Sequence, residues 1–252
     1  MIVAAALCPC PPLLAAELTG QADILPELRA ACATAVARML AAGPDVVAVV
    51  GLAETTGTWD PAGELSLASY APALRAAVPR TTGPRTTGPR TTSLRTTGLP
   101  LALGIGALLL DNAGYAGSRI LRGIDAAEPA AGCLALGREV AASASRVALL
   151  AVGDGSARRS ASAPGYLDER AAPFDEAVER AVRDGDLAAL ASLDPALATD
   201  LLAAGRPAWQ VLAGALLTSP LAADRPHTEI LYSDAPLGVT YLVATVVPRT
   251  GG

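Results

Sequence analysis

The sequence predicts a single α/β domain with a mostly parallel central sheet and helices on both faces. Three observations carry this expectation. Short continuous apolar runs at Ile2 to Leu7, Val46 to Val50 and Val147 to Val152 have the length and composition of strands buried on both faces. Segments of helical period separate them, and the chain of 252 residues is long enough for one substantial core.

The first run stops at Cys8-Pro9-Cys10-Pro11-Pro12, where proline ends pairing and stiffens a loop. Ile24, Leu28, Cys32, Val36 and Met39 then recur at helical spacing, and Gly43-Pro44 closes that helix before Val46 to Val50. This is a βαβ unit, which places both strand C-terminal ends at one sheet edge and makes Cys10 and Gly51 to Thr56 spatial neighbours. Leu101 to Ala113 and Pro129 to Ala144 read as helices, the second leading into Val147 to Val152. Phe174, Val178 and Val182, with charges between them, form one amphipathic face ending near Gly185. Short helices follow at Leu187 to Leu193, Pro195 to Ala204 and Trp209 to Leu217, with Trp209 as a packing anchor. Thr228 to Tyr232 and Val239 to Val247 complete the set as strands joined by Asp234-Ala235-Pro236-Leu237-Gly238.

One segment stands outside this alternation. Residues 79–98 hold four near-identical units beginning at Arg80, Arg85, Arg90 and Arg95, each reading Arg-Thr-Thr. The repeat has no apolar face to bury, so it is expected to be a solvated loop inserted in a domain spanning residues 1–252.

Composition excludes several functions. Hydrophobic content is 52% with only 3% aromatic, so the core is built from Ala, Leu and Val and needs close helix approach. The net charge is −5 and the chain has no lysine, which argues against a nucleic-acid surface. Leu99 to Leu110, the longest apolar stretch, falls short of the roughly 20 residues a membrane span needs. Ile2 to Leu7 has no basic flank and is too short for a signal-peptide core, and Leu7 is too large to precede a lipid-bearing Cys8. A cytoplasmic location with reduced cysteines is therefore expected for Cys8, Cys10, Cys32 and Cys133, the last two as core residues. His227 is the single histidine, which removes any chemistry needing several imidazoles.

The loop Gly153 to Asp175 is the richest in chemistry, carrying Asp154, Ser156, Arg158 and Arg159 directly after a buried strand. Asp154 and Ser156 are expected to cap the following turn or helix. Of the two arginines, one is expected to pair with Asp168, Glu169 or Asp175 while the other is solvated, the alternative being a bidentate grip on an anion.

Four stretches together resemble the class III extradiol ring-cleavage dioxygenase superfamily, the LigB-like fold that includes the Memo-like proteins. They are Pro9-Cys10-Pro11-Pro12, the strand Val47 to Ala53, the loop Gly153-Asp154-Gly155-Ser156-Ala157-Arg158 with Phe174-Asp175, and Pro236-Leu237-Gly238-Val239-Thr240-Tyr241. In that family two histidines and a glutamate hold Fe(II), and a further histidine acts as acid or base. The resemblance places Cys10 and Ala53, with Glu54 adjacent, at the ligand histidines, and Ala157 at the acid/base position. Glu229 and Asp234 are the candidates for the carboxylate.

Alanine offers no lone pair to a metal and no proton to a substrate. The resemblance thus implies a scaffold without its iron site, acting as a non-catalytic small-molecule-binding or interaction protein with no cofactor. The candidate ligand-binding set is Cys10, Ala53, Glu54, Asp154, Ser156, Ala157, Arg158, Glu229 and Tyr241. The alternative is altered chemistry in the same cleft, with Cys10, Glu54, Asp154 and Arg158 as catalytic candidates, or a residual Fe(II) or Zn(II) site drawing on Cys10, Glu229 and His227. A homodimer is the assembly the resemblance implies.

Overall fold

The computed structural model describes residues 1–15, 18, 24–65, 67, 98–223 and 226–248. The Arg-Thr-Thr repeat lies outside the described residues. Seven strands form one sheet: β1 (Ile2–Cys8), β2 (Val46–Leu52), β3 (Gly57–Trp59), β4 (Ser118–Ile124), β5 (Val147–Val152), β6 (His227–Asp234) and β7 (Tyr241–Val247). Their order across the sheet is β3-β4-β2-β5-β1-β7-β6.

Only the central four strands are mutually parallel, through the β4/β2, β2/β5 and β5/β1 pairs. β3/β4, β1/β7 and β7/β6 are antiparallel, which corrects the expectation of a mostly parallel sheet. For β7/β6 the cause is connection length. A parallel return needs a long crossover, whereas the tight Asp234 to Gly238 connection, closed by Gly238 N–H to the Ala235 carbonyl at 3.0 Å, permits only a hairpin. β5 also stands between β1 and β2, so Cys10 and Gly51 to Thr56 share an edge without being adjacent strands' ends.

β3 and β4 escape the sequence pattern. β3 is three residues long, and β4 has the sequence SRILRGI, in which Arg119 and Arg122 interrupt any apolar run. These arginines are tolerated because β4 lies next to the sheet edge, where Arg119 pairs with Asp111 at 2.7 Å and Arg122 with Glu139 at 3.3 Å.

The helices sort by the direction of travel. β1 to β2 and β2 to β4 move one way across the sheet, and their crossovers, α1 (Pro26–Leu40) and α2 (Leu101–Asn112), share one face. The step from β4 to β5 moves back, and α3 (Ala130–Ala142) lies on the other. A constant crossover hand requires this alternation. α1 begins at Pro26, so Ile24 is excluded from its stripe and is 50% exposed, contrary to the helical spacing read from sequence.

After β5, α4 (Ala171–Asp184), α5 (Leu187–Ala191), α6 (Pro195–Asp200), α7 (Arg206–Leu217) and α8 (Pro220–Ala223) follow, and the core of α3's face draws on α4 through α7. α7 is buried from Arg206 through Leu216, as a helix apolar on all sides must be. Its contact with α3 is backbone against backbone. A Cβ on Gly137 would stand 2.2 Å from the Val211 carbonyl oxygen, and one on Gly214 would stand 2.4 Å from that of Leu134. This is the close approach that a core of small residues demands.

In an open helix interior, Gly→Ala stabilises by about 1 kcal/mol. Here Gly214→Ala is expected to do the reverse, destabilising by about 1 to 3 kcal/mol through overpacking, as read by denaturant unfolding. A melt equal to or firmer than that of the parent chain contradicts the assigned contact.

Candidate functional site

β1 leads to α1 on one face, while the adjacent β5 leads to α4 on the other. Their C-terminal ends therefore border a topological switch point, where open α/β sheets form a crevice. The Cys10 N–H donates to Asp154 Oδ1 at 2.7 Å across it. Asp154 keeps some solvent contact yet is otherwise enclosed by protein, and this burial pushes its carboxyl up to about 6 against the opposing effect of the Cys10 hydrogen bonds. Burial, and then the neighbouring Asp154, raise the Cys10 thiol well above the ordinary cysteine range. Tyr241 completes the cluster: burial raises its phenol, with Asp154, Cys10 and Tyr232 adding to the effect.

A second knot holds the loop. Asp175, on α4 and buried, accepts from Ser156 N–H at 2.9 Å, Ser156 Oγ at 2.5 Å, Thr240 Oγ1 at 2.6 Å and Arg159 Nη1 at 3.3 Å. Gly155 is required here, since a Cβ would meet Asp175 Oδ1 and Thr240 Cβ at 2.8 Å. Backbone bonds from Gly155 to Thr240 and from Thr240 back to Ser156 join the loop to the start of β7. The loop motif and the 236–241 motif are thus brought into direct contact.

This corrects one expectation and part of another. Asp154 and Ser156 do not cap a helix, for the N-terminus of α4 at Arg170 has no side-chain cap. One arginine of the pair does take a carboxylate, Arg159 with Asp175, whereas the Arg158 Nε is buried without a hydrogen-bond partner instead of solvated. Arg158 stays close enough to Asp168 to help lower its carboxyl, although Arg170 does most of that.

The remaining candidates disperse. Ala53 is buried at the end of β2 and Glu54 beside it is exposed, with β5 between them and β1. The Ala157 N–H donates to the Leu201 carbonyl at 3.0 Å. Glu229 lies along the edge strand opposite Thr245, held by Arg38 at 2.5 Å and His227 at 3.4 Å, and Arg38 lowers its carboxyl. Asp234 pairs with Tyr241 and so sits nearer the crevice.

The resembled positions supply a thiol held protonated and an alanine, with Glu229 tied elsewhere, and among the described residues no three His, Cys, Asp or Glu side chains converge. All four cysteines are free and buried, and the neighbouring Cys32, with burial, raises the Cys8 thiol well above the ordinary cysteine range.

Sequence reasoning underrated Tyr232, Asp175, Thr240 and Arg206. Arg206 had a readable signal, a lone charge opening an apolar helix around Trp209.

No family model matches the chain, and no curated protein matches it. Among solved structures, one described as an uncharacterized protein from Escherichia coli K12 is similar over 97% of this chain and 99% of its own, with a TM-score of 0.55 at 16% identity. At that identity the likeness concerns the fold alone. Among the described residues, no helix is long and apolar enough to cross a membrane.

Asp154 binds its proton more tightly folded than unfolded, so its contribution to stability falls as pH rises from about 4 to about 6 and is level above that. Asp154→Asn keeps an acceptor for Cys10 and is expected to abolish this slope, gaining about 1 to 3 kcal/mol over the parent at pH 7. Denaturant melts at several pH values check this, and identical slopes in the two proteins refute it. Asp175→Ala strands several buried donors and is expected to cost at least about 2 to 4 kcal/mol in the same measurement.

Proposed function

We propose that the protein is a non-catalytic member of the class III extradiol dioxygenase-like, LigB-like group, a binding or interaction protein of the cytoplasm, working as a monomer or homodimer without a metal cofactor. One observation carries the reading: the polar groups at the β1 and β5 ends are engaged with one another. Asp154 Oδ1 is held by the Cys10 backbone, and Asp175 accepts from Ser156, Thr240 and Arg159. The knot orders the loop against β7 and leaves no imidazole at the crevice. Where the resembled family needs three metal donors and a proton-transfer histidine, this chain has Cys10, Ala53 and Ala157.

A second reading, altered chemistry at the same strand ends, draws support from Asp154, whose carboxyl at about 6 is tuned toward proton transfer at neutral pH. Cys10 weighs against a thiolate version of it, because the thiolate is the nucleophile and this thiol is pushed up, not down.

The test is anaerobic loading of the purified chain with Fe(II), followed by dialysis, metal analysis and assay of catechol consumption. Iron retained far below one per chain and no ring cleavage are expected; near-stoichiometric iron with turnover overturns the proposal. In parallel, Cys10 is expected to alkylate more slowly in the folded protein than after unfolding, and faster labelling would favour the second reading.

A further inference from the structure

β2 leads to α2 on one face and the adjacent β4 to α3 on the other, so their C-terminal ends border another switch-point crevice. A cavity of about 310 Å³ opens there, against Leu52, Ala126 and the stretch from Ala198 to Pro207. Its volume lies at the lower end of the range for small-molecule sites. It shares no residue with the Cys10, Asp154 and Tyr241 cluster.

The lining is apolar apart from Thr199 and Arg206. Arg206 is 1% exposed, and its guanidinium donates to the Glu128 carbonyl at 2.7 Å, to Gln210 Oε1 at 2.9 Å and to the Ala126 carbonyl. These acceptors are neutral, and among the described residues no carboxylate pairs with it. Dipoles and the Cys133 sulfur at 3.8 Å solvate the ion without a direct contact to a carboxylate, and burial of an unpaired ion is costly. The N-terminus of α7, which has no side-chain cap, adds potential of the same sign at the same place.

The rim carries a third sign. Leu202 lines the cavity, adopts φ 55 and is 46% exposed. A leucine in the left-handed region is strained, and such strain persists where the surroundings over-determine it. Here it holds an apolar side chain at a mouth that water otherwise wets.

We propose that this crevice binds a small amphipathic anion, a hydrocarbon body bearing one carboxylate. The body packs against Leu52, Leu202 and Pro207, and the carboxylate is drawn toward the Arg206 end. The inference deepens the reading of a binding protein and rests on it only in assigning the chain a ligand.

The probes are hexanoate, hexanol and hexylamine, titrated calorimetrically into the full chain at low salt. Hexanoate is expected to bind once per chain and at least about tenfold more tightly than hexanol, with hexylamine weakest. Leu202→Gly is expected to raise Tm by relieving the left-handed leucine while weakening hexanoate several-fold, opposite signs that a merely structural role does not produce. Thr199→Trp, at an exposed position on the rim, is expected to block hexanoate with Tm unchanged. Hexanol binding as tightly as hexanoate, no binding of any probe at millimolar concentration, or unchanged affinity in both variants overturns the proposal. A chain that takes up neither hexanoate nor iron loses this site but keeps the non-catalytic reading. One that binds hexanoate and also cleaves catechols keeps the site and loses that reading.

Discussion

The contact between α3 and α7 through Gly137 and Gly214 constrains the rest of the molecule. With Cβ atoms absent at both positions, the two backbones meet at a distance no side chain would allow. α7 can then fill the space between sheet and outer helix, buried along nearly its whole length. Its first turn is fixed as a consequence. Trp209 packs over Gly205, and Arg206 reaches back to the carbonyls that follow β4. The segment from Leu201 to Gly205 is hydrogen-bonded to the loop after β5, so the position of α7 is passed on to both crevices at the sheet edge.

At that edge, polar chemistry and structural locking draw on the same groups. Asp175 accepts four hydrogen bonds and holds loop, helix and β7 in one arrangement. Asp154 does a similar service for the turn after β1, at the expense of being buried with an elevated carboxyl. A carboxylate used this way has less freedom to bind or react. The cavity beside Arg206 is the opposite case, since its charge is solvated but not matched by a counter-ion.

Much of the fold was legible because burial on both faces writes a continuous apolar run, as in Ile2 to Leu7 and Val147 to Val152, and because α4 shows one charged and one apolar face. β4 was not legible, since its arginines break the apolar run and are accommodated by Asp111 and Glu139 on the helices that precede and follow it. The site was legible in part. The loop after β5 and the start of β7 were singled out and do meet, while Glu229, one of the two carboxylate candidates, lies with Arg38 and His227.

By itself, the sequence determined the α/β alternation, the small-residue core and the limit of one imidazole, because these follow from local periodicity and from residue chemistry that no folding can change. Only the tertiary structure decided the mixed sheet, which of Arg158 and Arg159 takes Asp175, the burial of Asp175 and the cavity at Arg206. Each depends on which distant segments approach. Strand order, a carboxylate's donors and a void between helices are set by three-dimensional packing, and a one-dimensional pattern of apolar and polar residues does not encode them uniquely.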